Sequence, residues 1–186
     1  ELFLFVMIPS SLGMAAIAKP LYTIFYGYDP TGISILYLSS FVAIILGLFT
    51  VVAAILQGLS ENGLAIKYLI LGVVIKLLVQ YPAIYFLKIY GPLLATAVGL
   101  GITCLLALKH LQVEYHFNFG RTRRRFIGIA SFSLLMFLAV FGVVSLLYLW
   151  FDNYSRLQAV IAIVVALPVG VVVYGGLTYA TGLAEN

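Results

Sequence analysis

Six long apolar stretches, separated by short polar breaks, make up almost the whole chain. They cover residues 2–26, 32–56, 64–87, 92–111, 126–151 and 157–181. A helix that crosses the hydrocarbon core of a bilayer needs about 20 mostly apolar residues. Runs of this length are much longer than ordinary β-strands. The pattern therefore predicts an all-α, polytopic membrane protein with six transmembrane helices.

The breaks between these stretches contain residues that favour turns. They read YGYDPTG (26–32), QGLSENG (57–63), KIYGP (88–92), a longer polar link at 112–125, and DNYSR (152–156). Gly, Pro, Asn, Asp and Ser each favour a turn for a different conformational reason. We expect four helices in residues 1–111, a basic link at 112–125 and two additional helices in residues 126–186.

Composition supports a lipid environment. Of the 186 residues, 64% are hydrophobic and only 9% are charged, and the mean hydropathy is +1.17. Soluble domains contain about 25% charged residues, and a chain with so few charges could not cover a water-exposed surface with polar groups. These values exclude a soluble globular domain. The single Cys104 cannot form an internal disulfide.

Basic residues concentrate in the link after the fourth stretch, which holds Arg121, Arg123, Arg124 and Arg125. Lys and Arg are enriched in short cytoplasmic loops, so we expect this link and both ends of the chain to face the cytoplasm. We interpret the arginines as an anchor for anionic lipid head groups. A nucleic-acid site is not expected, because neither interleaved aromatic residues nor a soluble domain accompanies them.

Lys76 lies in the middle of an otherwise apolar stretch, LGVVIKLLVQYPAIYF (71–86). A lysine at the centre of a membrane helix costs about 2.5–3.5 kcal/mol, whereas each Leu, Ile, Val or Phe contributes about 0.3–0.6 kcal/mol to insertion. Eleven such residues lie between positions 68 and 86, and together they contribute roughly 3–7 kcal/mol. The helix can therefore insert despite the charge.

The neighbours of Lys76 predict a face of α-helix that lines a cavity. Lys76 follows Lys67 by nine residues, which places it about 13 Å deeper and near the middle of a core about 30 Å thick. Gly72 and Gln80 lie four residues to either side, on the same helical face, and Pro82 frees a backbone carbonyl. We predict that Lys76 and Gln80 are substrate-binding residues.

A purely structural role for Lys76 is the alternative. Its ammonium group could bond the carbonyls of a neighbouring helix, or a carboxylate, and fix only the packing. None of the six stretches contains Asp or Glu, so an ion pair would need a partner from elsewhere. Ionisable groups inside membranes usually mark functional sites, and an unpaired cation in a cavity suits an anionic cargo.

Other patterns predict packing rather than chemistry. Gly91, Ala95 and Gly99 recur every four residues, as in faces through which membrane helices approach closely. Pro9, Pro20 and Pro168 indicate bent or broken helices. The sequence contains no paired-Cys, His-Glu, phosphate-loop or Ser/His/Asp pattern. We therefore expect no enzyme activity, no metal and no cofactor.

Two segments resemble a known family. ILQGLSENGLAIKYLILGVVIKLLVQYPAIYFLKIYGPLLATAVG (55–99) has a stretch ending in LQG, a short turn, a span with a central lysine and a G-P-x-x-A-T-A entry to the next span. FVMIPSSLGMAAIAKPLYTIFYG (5–27) contributes a proline-containing helix. Both are similar to the multidrug/oligosaccharidyl-lipid/polysaccharide flippase superfamily, in particular its polysaccharide-biosynthesis and lipid II flippase branch, which includes sporulation stage V protein B-like members.

The resemblance implies a fourteen-helix flippase whose two lobes rock around a central cavity. The six stretches would be the last six helices: four that complete the C-terminal lobe and an additional pair that lines a groove for the polyprenyl tail. The implied cargo is an undecaprenyl-pyrophosphate-linked saccharide such as lipid II, moved from the inner to the outer leaflet of the bacterial cell membrane. The N-terminal lobe of the same protein would form the other cavity wall.

Two other functions remain open at this stage. A drug or cation exporter of the same superfamily would carry a different cargo and would need an acidic residue in its cavity. A membrane scaffold complete at six helices would transport nothing. The chain begins with Glu1 directly ahead of an apolar stretch, without the basic region of a signal peptide, so we interpret it as a piece of a longer protein.

Overall fold

The computed structural model describes residues 2–115, 120–150 and 156–180, without the side chains of residues 2, 4, 120–127, 150 and 180. Every element in these ranges is a helix, which confirms the predicted all-α class. The elements are α1 (Leu2–Ala16), α2 (Ala18–Tyr26), α3 (Pro30–Gly58), α4 (Asn62–Leu87), a 3₁₀ turn (Lys88–Tyr90), α5 (Gly91–Glu114), α6 (Gly120–Trp150) and α7 (Arg156–Ala180).

Within the described ranges, four helical stretches are long and apolar enough to cross a membrane: Pro30–Gly58, Asn62–Glu114, Gly128–Leu149 and Arg156–Tyr179. The bent pair α1–α2 raises the number to five if it forms one span. The 53-residue stretch Asn62–Glu114 contains two of the predicted segments, because it turns back at the 3₁₀ turn and α4 packs against α5. The chain is a multi-pass membrane protein.

The first predicted span is not one helix. It breaks at Ile17 into α1 and α2, whose axes differ in direction by 62°. Pro20 explains the position of the break, because it has no N–H to donate to the carbonyl of Ala16. In the first turn of α2 the missing donor costs nothing. Pro9 and Pro168, in contrast, lie inside continuous helices.

Part of the predicted basic link is helical. α5 continues to Glu114 and α6 begins at Gly120, so part of 112–125 is helical, as the good helix propensity of arginine allows. Arg121, Arg123, Arg124 and Arg125 lie on the first turns of α6, but their side chains are outside the described part. The contact of these arginines with anionic lipids therefore stays a prediction.

The chain packs as two compact units, residues 1–41 with 122–186, and residues 42–121. In the first unit, buried side chains of α1, α6 and α7 form one cluster: Ala16, Met136, Val140, Val144 and Ala166. In the second, α3, α4 and α5 form another: Phe49, Val52, Leu56, Ala65, Cys104, Ala107 and Leu111. The predicted division into 1–111, 112–125 and 126–186 follows the order of the segments and stays a prediction.

α4 and α5 form a tight antiparallel hairpin. Buried residues of α5 include Gly91, Ala95 and Gly99. A β-carbon added at Gly91 would lie 2.7 Å from the carbonyl oxygen of Ala83, and one added at Gly99 would lie 2.7 Å from that of Gly72. The two backbones touch at both points because no side chain separates them. The predicted small-residue face is confirmed.

Candidate functional site

The candidate site lies near the middle of α4. This helix runs from Asn62 to Leu87 with 26 residues, which corresponds to a length of about 39 Å. Lys76 lies close to its middle and is half-buried, as is Gln80 one turn further along. The depth expected from the sequence is therefore compatible with the observed helix.

The stripe of Gly72, Lys76 and Gln80 follows the line along which α4 meets α5. Gly72 is buried, and a β-carbon there would lie 3.0 Å from the hydroxyl oxygen of Thr103. A β-carbon on Gly99 would lie 2.9 Å from Cβ of Lys76. The base of the lysine side chain is thus held against α5, while Lys76 and Gln80 keep part of their surface open.

In the described part of the chain, side chains on the opposite side of α4 are exposed. Leu78 is 71% exposed, Tyr81 85% and Tyr85 80%. Lys76 and Gln80 lie at the border between this open side and the contact with α5. No hydrogen bond or ion pair joins either side chain to the described part of the chain. Pro82 lies on the open side, and α4 continues past it to Leu87.

An apolar groove lies beside the last two helices, for which the resemblance implies a groove. It lies within the first unit and has a cavity volume of about 480 Å³. Its walls come from α1 and the start of α2 on one side and from α6 and α7 on the other, with Pro9, Met136, Val140 and Gly170 among the lining residues. Only Ser10 and Tyr174 bring polar groups to the lining. Two signals in the sequence indicated it, the absence of charge in the last two stretches and the groove that the resemblance implies.

Polar contacts lie toward both ends of this groove. The hydroxyl of Tyr174 donates a hydrogen bond of 2.7 Å to the carbonyl oxygen of Phe5, and the two rings lie 5.3 Å apart. On the other side, Nζ of Lys19 lies 4.0 Å from the ring centroid of Tyr148. Both contacts join residues more than a hundred positions apart, so no local pattern could predict them.

In the second unit, a hydrogen bond joins the turn before α4 to the end of α5. The hydroxyl of Tyr115 donates to Oε1 of Glu61 at 3.2 Å. Burial raises the pKa of the Tyr115 phenol, and the Glu61 carboxylate raises it further. This hydrogen bond joins the start of α4 to the end of α5, at the end of the hairpin opposite the 3₁₀ turn.

The described residues offer no cluster of three or more His, Cys, Asp or Glu side chains that could hold a metal ion. His110 stacks edge-on against Tyr68, with ring centroids 6.1 Å apart. His116 lies outside the described residues. At the candidate site, Lys76 contributes an ammonium group and Gln80 an amide.

The whole chain is similar to the lipid II flippase MurJ of Bacillus subtilis (strain 168). The two are 34% identical over 192 residues, which cover 100% of this chain and 35% of the relative. The chain thus spans about a third of the length of the curated relative it matches. No family model and no solved structure matches the chain. The resemblance to the lipid II flippase branch, drawn above from the sequence, is confirmed.

Proposed function

We propose, with this similarity as the premise, that the chain is the C-terminal portion of a flippase. The flippase moves a polyprenyl-pyrophosphate-linked saccharide, such as lipid II, from the inner to the outer leaflet of the bacterial cell membrane. The observation that carries the proposal is a half-buried lysine near the middle of α4, one turn from an amide and along a helix contact that has an open side.

The proposed role of Lys76 is to lower the free-energy cost of moving the diphosphate through the hydrocarbon core. A diphosphate cannot enter hydrocarbon without a large loss of hydration. An ammonium group at mid-depth stabilises the anion where water is scarce, and the amide of Gln80 adds a hydrogen-bond donor one turn away. Because the base of the Lys76 side chain packs on Gly99, the charge is held at a defined depth.

The groove between α1 and the α6–α7 pair suits the other end of the cargo. Its lining is almost entirely apolar, as a polyprenyl chain requires, and an isoprenoid in the groove would stay in apolar surroundings while its head group crosses. Since hydrocarbon gains little by leaving lipid, close packing against the walls would provide the affinity.

The open side of α4 is the proposed contact with the rest of the protein. Tyr81, Tyr85 and Phe86 are each at least 79% exposed, and the chain spans only 35% of its relative. We propose that the N-terminal lobe of the same protein covers this side and completes the cavity around Lys76.

The orientation in the membrane is also part of the proposal. Arg121, Arg123, Arg124 and Arg125 would lie at the cytoplasmic surface next to anionic lipids, with both ends of the chain on that side. Maleimide labelling of single cysteines in the 57–63 and 88–92 turns, on a cysteine-free background, tests this. Labelling of the 88–92 turn from outside intact cells supports it, and labelling of the 57–63 turn instead contradicts it.

A drug or cation exporter is not favoured, because none of the six apolar stretches provides an acidic residue to attract a cation. A six-helix scaffold is not favoured either, since the relative carries the name of a flippase.

Transport by the full-length protein in liposomes tests the proposed cargo. Fluorescent lipid II is placed in the leaflet accessible to the transporter, and its appearance in the other leaflet is followed. Excess unlabelled lipid II should slow this signal, whereas a cationic dye at the same concentration should not. Inhibition by the dye alone would favour the exporter, and a rate no higher than in empty liposomes would contradict a flippase.

A further inference from the structure

The contacts that join the first span to the last two helices include two with polar groups, one toward each end of the apolar groove. Toward one end, Tyr174 of α7 bonds the backbone of Phe5 in α1. Toward the other, Lys19 of α2 holds its ammonium group 4.0 Å from the ring centroid of Tyr148 in α6. We call the Lys19–Tyr148 contact the clasp. Between the two contacts the groove is lined mainly by apolar side chains.

The clasp sits just past the break in the first span. Lys19 is two residues beyond Ile17, where α1 and α2 bend by 62°. Backbone hydrogen bonds lead into and out of the break, from Ile17 N to Gly13 O at 3.1 Å and from Leu21 N to Ile17 O at 2.9 Å, but Pro20 donates none. The direction of α2 therefore depends on tertiary contacts more than it would in an unbroken helix.

The same short segment forms part of the groove wall. Ile17 and Leu21 line the groove, and Lys19 lies between them on α2. Tyr148 packs against the buried cluster that contains Met136 and Val140, two further lining residues. A shift of α2 relative to Tyr148 would thus move one wall of the groove against the other.

We propose that Lys19 and Tyr148 are positioning residues: their cation–π contact fixes the direction of α2 beyond the break and so sets the width of the groove for an isoprenoid chain. The inference rests on the proposed function, since it assumes that the groove takes the lipid tail. Cation–π contacts gain strength when water is excluded, and the side chain of Lys19 is half-buried.

Matched variants separate the clasp from mere packing. Tyr148→Phe keeps the aromatic ring and Lys19→Arg keeps the cation, so both should preserve the contact. Tyr148→Leu removes the ring and Lys19→Met removes the charge while keeping an unbranched side chain. Tyr148→Leu and Lys19→Met should lower the population of molecules in which α2 keeps the direction described above by about two- to thirty-fold. This is the range that the strength of cation–π contacts implies.

The first measurement is the distance between the C-terminal ends of α2 and α6 in the full-length protein. Spin labels at Phe25→Cys and Leu149→Cys, both exposed positions at 70% and 75%, are introduced on a Cys104→Ala background. The Leu and Met variants should broaden the distance distribution, and the Phe and Arg variants should leave it as in the unmodified protein. An unchanged distribution in Tyr148→Leu overturns the proposal.

The second measurement follows the lipid tail. A polyprenyl pyrophosphate with a photoreactive group in its chain should crosslink to α1, α6 or α7 in the unmodified protein, and less in Tyr148→Leu and Lys19→Met. A broadened distance with undiminished crosslinking overturns the role of the clasp and leaves the proposed function intact. Absence of crosslinking to these helices in the unmodified protein counts against the tail site itself, and the role of the clasp falls with it.

Discussion

A β-carbon on Gly99 of α5 would lie 2.9 Å from Cβ of Lys76 on α4. The absence of a side chain at position 99 therefore decides how closely the lysine-bearing helix approaches its neighbour. Lys76, which we propose holds the diphosphate, therefore contacts Gly99, which allows the hairpin to pack closely.

Substitution of Gly99 by alanine should separate the hairpin. The added methyl group would also lie 2.7 Å from the carbonyl oxygen of Gly72, and a backbone atom cannot move aside as a flexible side chain can. Such overpacking costs about 1–3 kcal/mol. Thermal unfolding in detergent should show a lower midpoint for Gly99→Ala. Gly101→Ala is the control, because its β-carbon meets only Ile45 at 3.9 Å; equal midpoints for the two variants would contradict the close contact.

Removal of the charge at position 76 should slow flipping without unfolding the protein. Alanine keeps the Cβ atom that packs on Gly99, so stability should be retained. Hydrogen bonds to charged groups contribute about 1.5–3 kcal/mol, so Lys76→Ala should lower the flipping rate about ten- to hundred-fold in the liposome assay, and Lys76→Glu at least as much.

Lys67 provides the matched control for this experiment. It lies on the same helix but is exposed and closer to the helix end, so Lys67→Ala should change the rate by no more than about two-fold, as exposed charges usually do. Undiminished flipping by both Lys76 variants would remove this residue from the mechanism.

The side chain of Asp29 caps the N-terminus of α3. Its two carboxylate oxygens accept hydrogen bonds from the backbone N–H groups of Thr31 and Gly32, each at 3.1 Å. Asp29→Ala should lower the free energy of unfolding by about 0.5–2 kcal/mol, whereas Asp29→Asn should keep most of it, because asparagine caps helices about as well. Denaturant titration followed by circular dichroism measures the difference, and equal losses in both variants would show that the cap is not what stabilises α3.

The Tyr115–Glu61 hydrogen bond predicts a loss of stability in alkali. Burial and the nearby carboxylate raise the pKa of this phenol above its ordinary value of 10.0. Its contribution to stability is therefore fully present below about pH 10 and is lost as the pH rises through the higher folded-state pKa. The unfolding midpoint of the unmodified protein should fall over this range.

Tyr115→Phe isolates this contribution, since the variant has no phenol at position 115. Its midpoint should be lower at neutral pH, because the bond to Glu61 is absent, and should fall less above pH 10. Parallel pH profiles of the two proteins would show that other groups cause the alkaline loss.

The sequence predicted the candidate site from spacing along α4, and the close contact of α4 with α5 from small residues. It placed Lys76 at mid-depth with Gln80 on the same face, and it identified Gly91, Ala95 and Gly99 as a packing face. All of these follow from spacing along a single helix. It did not indicate that Lys76 packs on Gly99.

The sequence by itself determined the class of protein and the positions of its helices, because apolar runs of this length are stable only as helices in lipid. The tertiary structure decided which faces meet, and with them the groove, the clasp and the bend at Ile17. The physical reason lies in the lipid: helices that are apolar on every side have no polar stripe to distinguish the face that turns outward from the face that packs. Their partners are selected by small residues, a few hydrogen bonds and close packing, which depend on residues far apart in the chain.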